Sequence, residues 1–346
     1  MLLPVRNGAR FLPQALESLL QQEGVRLEIL AIEDGSRDET PEILDAFARR
    51  APQLRILSGA GRGLSRALNL GLMHARGDYI ARLDADDIAL PGRLAAQHDF
   101  LEQHPKVAVL GTQALRIDAQ GQRRGKIRVP CGKKRVRAAL ARSCALIHPS
   151  VMMRRSALKA VGGYRPALDR AEDYDLWLRL SEVAEIDNLP QPWILCRRHA
   201  GQVTQRHALL QARRSALARI AQDVRLRGRA DPLETPAWRS RLQAADALDP
   251  LHALTAAALA DNGGTLRPRG AQLLAGACRR VQGNARLQQR LALAWVRHLL
   301  QLWRAGRRRE VLACLPQAGR CGKVACLTAL VRHSAILWQR CFIDHQ

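Results

Sequence analysis

The first third of the chain alternates short apolar runs with longer amphipathic stretches. The runs that predict strands are Leu2–Val5, Leu27–Asp34, Leu54–Leu57 and Asp78–Asp84. Between them, apolar residues recur at helical spacing in "ARFLPQALESLLQQ", "DETPEILDAFARRA" and "GLSRALNLGLMHA". Strands and helices that alternate at this spacing predict a parallel sheet with helices packed on its faces.

Polar residues stand where the predicted strands end. They are Asn7, Asp34, Ser58 and Asp84. Because ligands of open α/β sheets bind beyond the carboxyl ends of the strands, we expect a site at this edge. Met1 stands almost inside the first run, which indicates either a short first strand or a start site further upstream.

The pattern changes twice further along the chain. Residues 106–201 combine a strand-like "VAVLG", a basic loop "GQRRGKIRVPCGKKRVR", an apolar stretch around "HPSVMM" and a helix "EDYDLWLRLSEVA". They complete one α/β domain, which we predict to span residues 1–207. After His207 the sequence is rich in Ala, Leu, Arg and Gln with helical periods and Gly or Pro breaks, so residues 208–346 are predicted to form an Arg-rich α-helical region.

Composition narrows the class of protein. The chain has 346 residues, of which 47% are hydrophobic, so a folded core is expected. Its 55 Lys and Arg against 31 Asp and Glu give a net charge of +24, which implies an anionic partner: a nucleic acid, a phospholipid surface or a phosphorylated substrate. From Ala208 onward there are 23 basic and 8 acidic residues, so +15 of this charge lies in the predicted helical region.

Cysteines and apolar run lengths bear on location. The 8 cysteines form no CxxC pair, which argues against a structural zinc site and a secreted disulfide scaffold and favours a reducing cytosol. No uninterrupted apolar run approaches the roughly 18 residues that a membrane-spanning helix needs. Any membrane contact is therefore expected to be peripheral.

Three carboxylates in "RLDADDIALPGRL" are the strongest candidates for chemistry. Asp84 and Asp86 are two residues apart, so in an extended segment they point the same way and can share one hard cation with a diphosphate. Mn or Mg suits such oxygen ligands. The alternative, a solvated acidic turn, is disfavoured because an apolar strand leads directly into it.

Two further motifs each allow a structural and a functional interpretation. In "EDGSRDET", Asp34 can accept a hydrogen bond from a pyrimidine base while Gly35 admits close backbone approach, or the Asp and Ser can cap the following helix; the residues are compatible with both. In "AEDYDLWLRL", Glu172 and Asp173 suit the first turn of a helix, where its dipole favours carboxylates. One of them can also serve as a general base.

Five motifs in a fixed order resemble the inverting family 2 glycosyltransferases of the GT-A fold. They are "LLPVRNGARFL", "AIEDGSRDET", "GLSRALNLGLMHARGDYIARLDADDIALPGRLAAQ", "HPSVMMRRSALKAVGGYRP" and "AEDYDLWLRL". The resemblance runs from Leu2 to about Thr204. Two positions depart from the family pattern: Arg6 replaces an aromatic residue, and Glu33 replaces the first Asp of a "DDGS" motif.

The resemblance implies a Rossmann-like domain that moves a sugar from a nucleotide-diphospho-sugar to an acceptor hydroxyl. It implies a UDP-sugar donor, a divalent Mn or Mg, and a glycan or lipid-linked acceptor in surface polysaccharide or lipopolysaccharide assembly. The reaction is expected in the cytoplasm, with peripheral attachment to the inner face of the membrane as an option.

The resemblance also assigns candidate residues. Asp86 is the implied direct metal ligand, with Asp84 at the metal or the ribose, and Asp173 is the implied base with Glu172 in support. His148 could line the acceptor site or approach the metal, although a buried structural histidine is the alternative. The candidates for the nucleotide sugar are Pro4, Asn7, Asp34, Gly35, Ser36, Arg66, Asn69, Asp84 and Arg93. Taken one at a time, Arg66, Asn69, Arg93 and also Gln97 fit a helix surface or an internal salt bridge better than a nucleotide contact.

Two other classes remain as alternatives. A basic nucleic-acid-binding or membrane-binding scaffold fits the net charge, but aromatics are only 4% and no zinc-finger, RNP or KH signature occurs, so no nucleic-acid partner is expected. A nucleotidyltransferase would carry a Gly-rich basic loop after the first strand, which "PVRNGARFL" does not match. The segment "ARLQQRLALAWVRHLLQLWRAGRRRE" fits packed helices with solvated arginines, or a basic surface on anionic lipids.

Overall fold

The computed structural model describes residues 1–199 and 208–234, together with Trp295 and Leu299. The chain divides into two compact units, Met1–Arg206 and His207–Gln346. Apart from Trp295 and Leu299, the predicted amphipathic segment 285–310 lies outside the described residues.

The first unit begins with the strand and helix alternation that the apolar pattern predicts. The elements are β1 (Leu2–Val5), α1 (Leu12–Leu20), β2 (Ile29–Glu33), α2 (Thr40–Arg50), β3 (Leu54–Ser58) and α3 (Leu64–His74). The strands are parallel and lie in the order β1-β2-β3. In α1, Leu12, Leu16 and Leu19 are fully buried, as their spacing of three and four residues on one helix face requires.

A second sheet follows and is mixed rather than parallel. Its elements are β4 (Tyr79–Ala81), β5 (Ile88–Ala89), α4 (Arg93–Gln103), β6 (Val107–Ile117), β7 (Arg123–Ile127), α5 (Lys133–Leu140), β8 (Met152–Arg154), α6 (Arg155–Ala160), α7 (Glu172–Val183) and β9 (Glu185–Arg197). The strand order is β4-β8-β6-β9-β5, with β7 added beside β6. Only β6 and β9 pair in parallel here, so the prediction of a parallel sheet is confirmed for the first three strands alone.

A short bridge joins the two sheets at the place where the site forms. Leu2 in β1 pairs in parallel with Arg82, and the amide of Leu83 donates to the carbonyl of Leu2 at 3.2 Å. Leu83 is fully buried in the core. The carboxyl ends of β1 and of the segment after β4 therefore lie side by side.

The predicted basic loop at residues 121–137 is instead an edge strand followed by a helix. β7 bonds to β6 through its main chain, although its three polar side chains, those of Arg123, Arg124 and Lys126, are exposed. In α5 only Val136 and Leu140 are buried. The loop prediction was wrong because so few apolar positions mark either element.

In the second unit, the helical pattern is confirmed over α8 (Ala208–Leu226). A single 3₁₀ turn follows at Pro232–Glu234. Within the described ranges, none of the helices combines the length and the apolar character that crossing a bilayer demands.

Candidate active site

The loops after β1 and β2 hold each other through side-chain to backbone hydrogen bonds. The amide of Asn7 donates to Ser36 Oγ at 2.9 Å, and the amide of Arg37 donates to Asn7 Oδ1 at 2.8 Å. Asn7 has a φ of 52°, in the left-handed region where asparagine is tolerated better than most residues. Asn7 and Ser36 therefore lie together at the strand ends, where the alternation placed Asn7.

Asp34 anchors the loop that follows β3. Its two oxygens accept the amides of Arg62 at 2.8 Å and Gly63 at 2.9 Å, and the residue is only 5% exposed. Gly35 has a φ of 76°, and a Cβ there would come 3.1 Å from the Cα of Gly61, so any other residue at this position would be strained. The prediction that Asp34 or Ser36 caps α2 was wrong, since Asp38 Oδ1 accepts the amide of Thr40 at the start of that helix.

Asp84, Asp86 and Asp87 form an acidic cluster whose ligand oxygens all lie within 4.8 Å of one another. Arg82, which is 2% exposed, holds Asp84 by two hydrogen bonds of 2.5 and 3.2 Å. Burial raises the pKa of Asp84, the Arg82 charge lowers it, and the neighbouring Asp86 raises it again. A bidentate arginine thus fixes one carboxylate of the cluster in a single orientation.

Asp86 faces a residue that the sequence analysis missed. Its Oδ2 lies 3.1 Å from His199 Nε2, and the side chains are 27% and 22% exposed respectively. Arg197 holds the loop that carries Asp86 and Asp87. Its Nε donates to the carbonyl of Asp86 at 2.9 Å, and its backbone amide donates to Asp87 Oδ1 at 2.8 Å. A histidine two residues beyond a strand end, in "CRRH", was the signal available in the sequence.

The donor set of the cluster fits a divalent cation. Asp84 and Asp86 keep exposed oxygens, with side chains 36% and 27% exposed, whereas Asp87 is 4% exposed and already accepts a backbone amide. Carboxylate oxygens with one imidazole nitrogen are ligands that Mn²⁺ accepts. The residues that could hold the metal are therefore Asp86, His199 and Asp84.

His148 does not join the acidic cluster. It is buried, its Nε2 lies 2.9 Å from the hydroxyl of Tyr164, and its ring packs edge-on against Trp177. Burial and then the charge of Arg82 hold the pKa of His148 well below its usual value. The prediction of His148 as a metal ligand is corrected to the structural alternative.

Glu172 and Asp173, the carboxyl pair, stand in the first turn of α7. Glu172 is 5% exposed, and its Oε2 has no hydrogen-bond partner. Burial, followed by repulsion from Asp173, raises the pKa of Glu172 to about 7. Asp173 is half-buried; its Oδ1 accepts the amide of Tyr174 at 2.7 Å, and its Oδ2 lies 3.7 Å from the thiol of Cys144.

The carboxyl pair and the acidic cluster are linked by electrostatic effects on their pKa values. Burial is the largest influence on the pKa of Asp84, and Asp173 is among the charges that raise it. Arg82, buried beside Asp84, lowers the pKa of both Glu172 and Asp173 against the raising effect of their burial. One buried guanidinium therefore interacts electrostatically with both a candidate metal ligand and the carboxyl pair.

Two candidates for the nucleotide phosphates lie inside the protein. Arg93 and Gln97 are each 0% exposed. Arg93 donates to the carbonyl of Arg82 at 2.8 Å and to Gln97 Oε1 at 3.0 Å, and burial lowers its pKa to about 9. The prediction that Arg93 contacts the nucleotide is corrected, because it braces the loop under the acidic cluster instead.

Three further candidates are placed differently from one another. Asn69 uses its side chain to bind Tyr164, donating to the carbonyl at 2.7 Å and accepting the amide at 2.9 Å, so it holds a loop rather than facing the site. Pro4 is buried within β1, opposite Ile32. Arg66 is exposed on the first turn of α3 and stays a predicted phosphate contact.

Comparison with protein families gives a match over residues 1–162 to a family described as glycosyl transferase family 2. The putative glycosyltransferase EpsE of Bacillus subtilis is 34% identical over 186 residues, which are 53% of this chain and 66% of that protein. The amylovoran biosynthesis glycosyltransferase AmsE of Erwinia amylovora is 32% identical over 197 residues, which are 56% of this chain and 73% of AmsE.

Solved structures with a similar fold extend over more of the chain. Staphylococcus aureus TarS 1–349, in complex with UDP-GlcNAc, aligns with a TM-score of 0.55 and 18% identity over 88% of this chain and 86% of that one. The mannosyltransferase PcManGT of Pyrobaculum calidifontis, in complex with GDP-Man and Mn²⁺, aligns with a TM-score of 0.52 and 18% identity over 94% and 85%. At this identity the likeness concerns the fold.

Proposed function

This chain belongs to glycosyl transferase family 2, and we propose that it is a metal-dependent, inverting enzyme that moves a sugar from a nucleotide-diphospho-sugar to an acceptor hydroxyl. One observation carries the proposal. The acidic cluster and the carboxyl pair are distant in sequence, yet the charge of Asp173 adds to the effect of burial in raising the pKa of Asp84. A direct displacement needs these two groups, one for the leaving diphosphate and one for the incoming hydroxyl.

The donor side rests on the acidic cluster. Asp86, His199 and Asp84 would hold a divalent Mn or Mg, whose positive charge would offset the charge that builds on the nucleoside diphosphate as it leaves. Arg82 keeps Asp84 oriented before any donor arrives. The complexes of TarS with UDP-GlcNAc and of PcManGT with GDP-Man and Mn²⁺ support a nucleotide-sugar donor, and we propose a UDP-sugar.

The acceptor side rests on Asp173. Its Oδ2 accepts the proton of the acceptor hydroxyl, while the hydroxyl oxygen attacks the anomeric carbon and the bond from that carbon to the diphosphate oxygen breaks. Attack from the face opposite the leaving group inverts the configuration, and no covalent sugar-enzyme bond forms. Glu172, protonated below about pH 7, limits the negative charge beside this base.

We propose a biological setting for the reaction and a separate role for each of the two regions of the chain. The name of AmsE, an amylovoran biosynthesis glycosyltransferase, supports a role in surface polysaccharide or lipopolysaccharide assembly, with a glycan or lipid-linked acceptor. We place catalysis in residues 1–207 on the cytosolic side of a membrane. Residues 208–346 form a separate Arg-rich helical region in this proposal.

The test is thermal melting with UDP or GDP, each with and without Mn²⁺, followed by a screen of nucleotide sugars for transfer or hydrolysis. We expect nucleotide stabilisation that requires Mn²⁺ and is abolished by Asp86→Ala. Asp99→Ala, which removes a carboxylate 72% exposed on α4, is the matched control and should keep the full shift. Nucleotide stabilisation that Asp86→Ala leaves intact would overturn the assignment of the metal site.

A further inference from the structure

A stretch of residues 123–142, here called the basic segment, carries charge that the proposed chemistry does not use. It contains nine Lys and Arg residues and no Asp or Glu. It begins at β7, runs through α5 and ends just before Cys144. Eight of the nine basic residues are exposed, namely Arg123, Arg124, Lys126, Arg128, Lys134, Arg135, Arg137 and Arg142.

The first end of the basic segment is tied to the metal side of the site. Arg124 pairs with the Asp118 carboxylate at 2.7 Å, in the turn between β6 and β7. The carbonyl of Asp118 accepts a hydrogen bond from Arg197 at 3.3 Å, and the same guanidinium donates to the carbonyl of Asp86 at 2.9 Å. Asp86 and the start of the segment are thus held by one buried arginine.

The other end is tied to the base. The hydroxyl of Tyr174, next to Asp173, donates to the carbonyl of Leu140 at 2.6 Å. Two residues after the segment, the exposed Cys144 places its thiol 3.7 Å from Asp173 Oδ2. The segment therefore begins beside the candidate metal ligands and returns beside the candidate base.

The segment offers charge to solvent but little apolar surface. Val136 and Leu140 point into the protein, and Ile127 is half-buried. Such a surface attracts a multiply charged anion by electrostatics and offers few apolar side chains that could insert into a lipid layer. Six of the nine residues are arginines, whose planar forks pair with two oxygens of a phosphate group.

We propose that the basic segment binds the acceptor, and that the acceptor is a chain that carries phosphate groups. The inference rests on the proposed function, since it names the class of substrate for the same site. An anionic chain that lies along the segment has its ends at the two sides of the site, and so presents a hydroxyl between Asp86 and Asp173. The arginines of the basic segment offset the repulsion that the carboxyl pair exerts on the anionic acceptor chain.

The test compares two variants of the full chain that lose the same charge. One variant is Arg123→Gln, Lys126→Gln and Lys134→Gln together. The control is Arg49→Gln, Arg76→Gln and Lys159→Gln together; these residues are also exposed but lie on α2, after α3 and on α6. The probe is fluorescently labelled short-chain polyphosphate, with affinity measured by anisotropy over a series of salt concentrations. Melting with UDP and Mn²⁺ is measured on all three proteins.

We expect the segment variant to bind polyphosphate about tenfold more weakly and the slope of log Kd against log salt to fall by about two, because three contacts with the anion are lost. The control should lose less than about threefold, and UDP with Mn²⁺ should stabilise all three proteins alike. Equal weakening in both variants, or unmodified protein that binds phosphatidylglycerol vesicles but not polyphosphate, would overturn the inference. If UDP with Mn²⁺ does not raise the melting temperature of the unmodified protein, the proposed function is overturned instead. The relative polyphosphate affinities of the two variants still decide whether the basic segment is the polyphosphate site.

Discussion

The acidic cluster with its carboxyl pair and the basic segment carry opposite charges, and they hold those charges in different ways. Asp87 and Glu172 are at most 5% exposed, and Asp84 is fixed by a buried arginine. In the basic segment, eight of the nine basic residues are exposed and the ninth, Lys133, is partly exposed. Arg124 and Lys133 do form ion pairs there, with Asp118 and Glu185, but their side chains remain 58% and 41% exposed.

The difference teaches what each arrangement can do. A buried charge is costly, so the protein surrounds it with defined partners, and its position and pKa are set by the fold. An exposed charge stays hydrated and acts together with its neighbours over a distance that salt limits. Single substitutions should therefore have large effects in the first region and small effects in the second.

The largest effect is expected at Asp173. Asp173→Asn should lower kcat by about 10² to 10⁴, because a neutral amide cannot accept the proton of the acceptor hydroxyl. Binding of UDP with Mn²⁺ should be unchanged, which transfer assays and melting on the same preparation would separate. A greater loss in Glu172→Gln than in Asp173→Asn would move the role of base to Glu172.

The buried Arg93 and the exposed Arg123 test how much burial of an arginine contributes to the free energy of unfolding. Arg93→Gln should lower the free energy of unfolding by about 2–4 kcal/mol, because the carbonyl oxygen of Arg82 and the side-chain oxygen Oε1 of Gln97 lose a buried donor. Arg123→Gln, on the exposed face of β7, should stay within about 0.5 kcal/mol of the unmodified chain. Urea unfolding measures both. Similar values for the two variants would mean that burial does not separate these regions.

His199 tests whether the acidic cluster extends beyond the three acids. His199→Ala should raise the Mn²⁺ concentration for half-maximal nucleotide stabilisation by at least about tenfold, since one ligand is lost. His98→Ala, which removes a histidine of α4 whose side chain is 40% exposed, is the control and should leave the Mn²⁺ requirement unchanged. An unaltered requirement in His199→Ala would limit the imidazole to a hydrogen bond with Asp86.

The smallest of these effects concerns pH. Because the pKa of Glu172 is raised to about 7 from an ordinary 4.5, the folded chain holds a proton that the unfolded chain releases between these values. The stability of the unmodified protein should therefore fall as pH rises through this window. Glu172→Gln should escape that fall and gain about 1–3 kcal/mol relative to the unmodified chain between pH 5 and pH 8.

Urea unfolding at pH 5 and pH 8 measures that gain. Glu23→Gln, at an exposed glutamate after α1, should show no such change and serves as the control. A gain of the same size in both variants, or none in either, would mean that the carboxyl of Glu172 titrates near its ordinary value.

Sequence patterns predicted where the strands end and that acids follow one of them. They did not predict whether a polar residue on a helix is exposed or buried. Arg66 and Arg93 both follow a strand and lie on a helix, so the sequence offers the same hypothesis for each. The fold exposes the first and buries the second completely. The same ambiguity affected Asn69 and His148, whose polar atoms turn out to bind Tyr164.

By itself, the sequence determined the local features: the alternation of strands and helices, the place of the acids directly after an apolar run, and the carboxyl pair at the start of a helix. Only the tertiary structure decided which of these features meet. His199 lies 113 residues from Asp86, and Asp173 lies 89 positions after Asp84, so neither the hydrogen bond of the first pair nor the electrostatic influence within the second leaves a trace in local spacing. Periodicity reports which face of an element is apolar, whereas the partner that covers that face is chosen by packing of the whole chain.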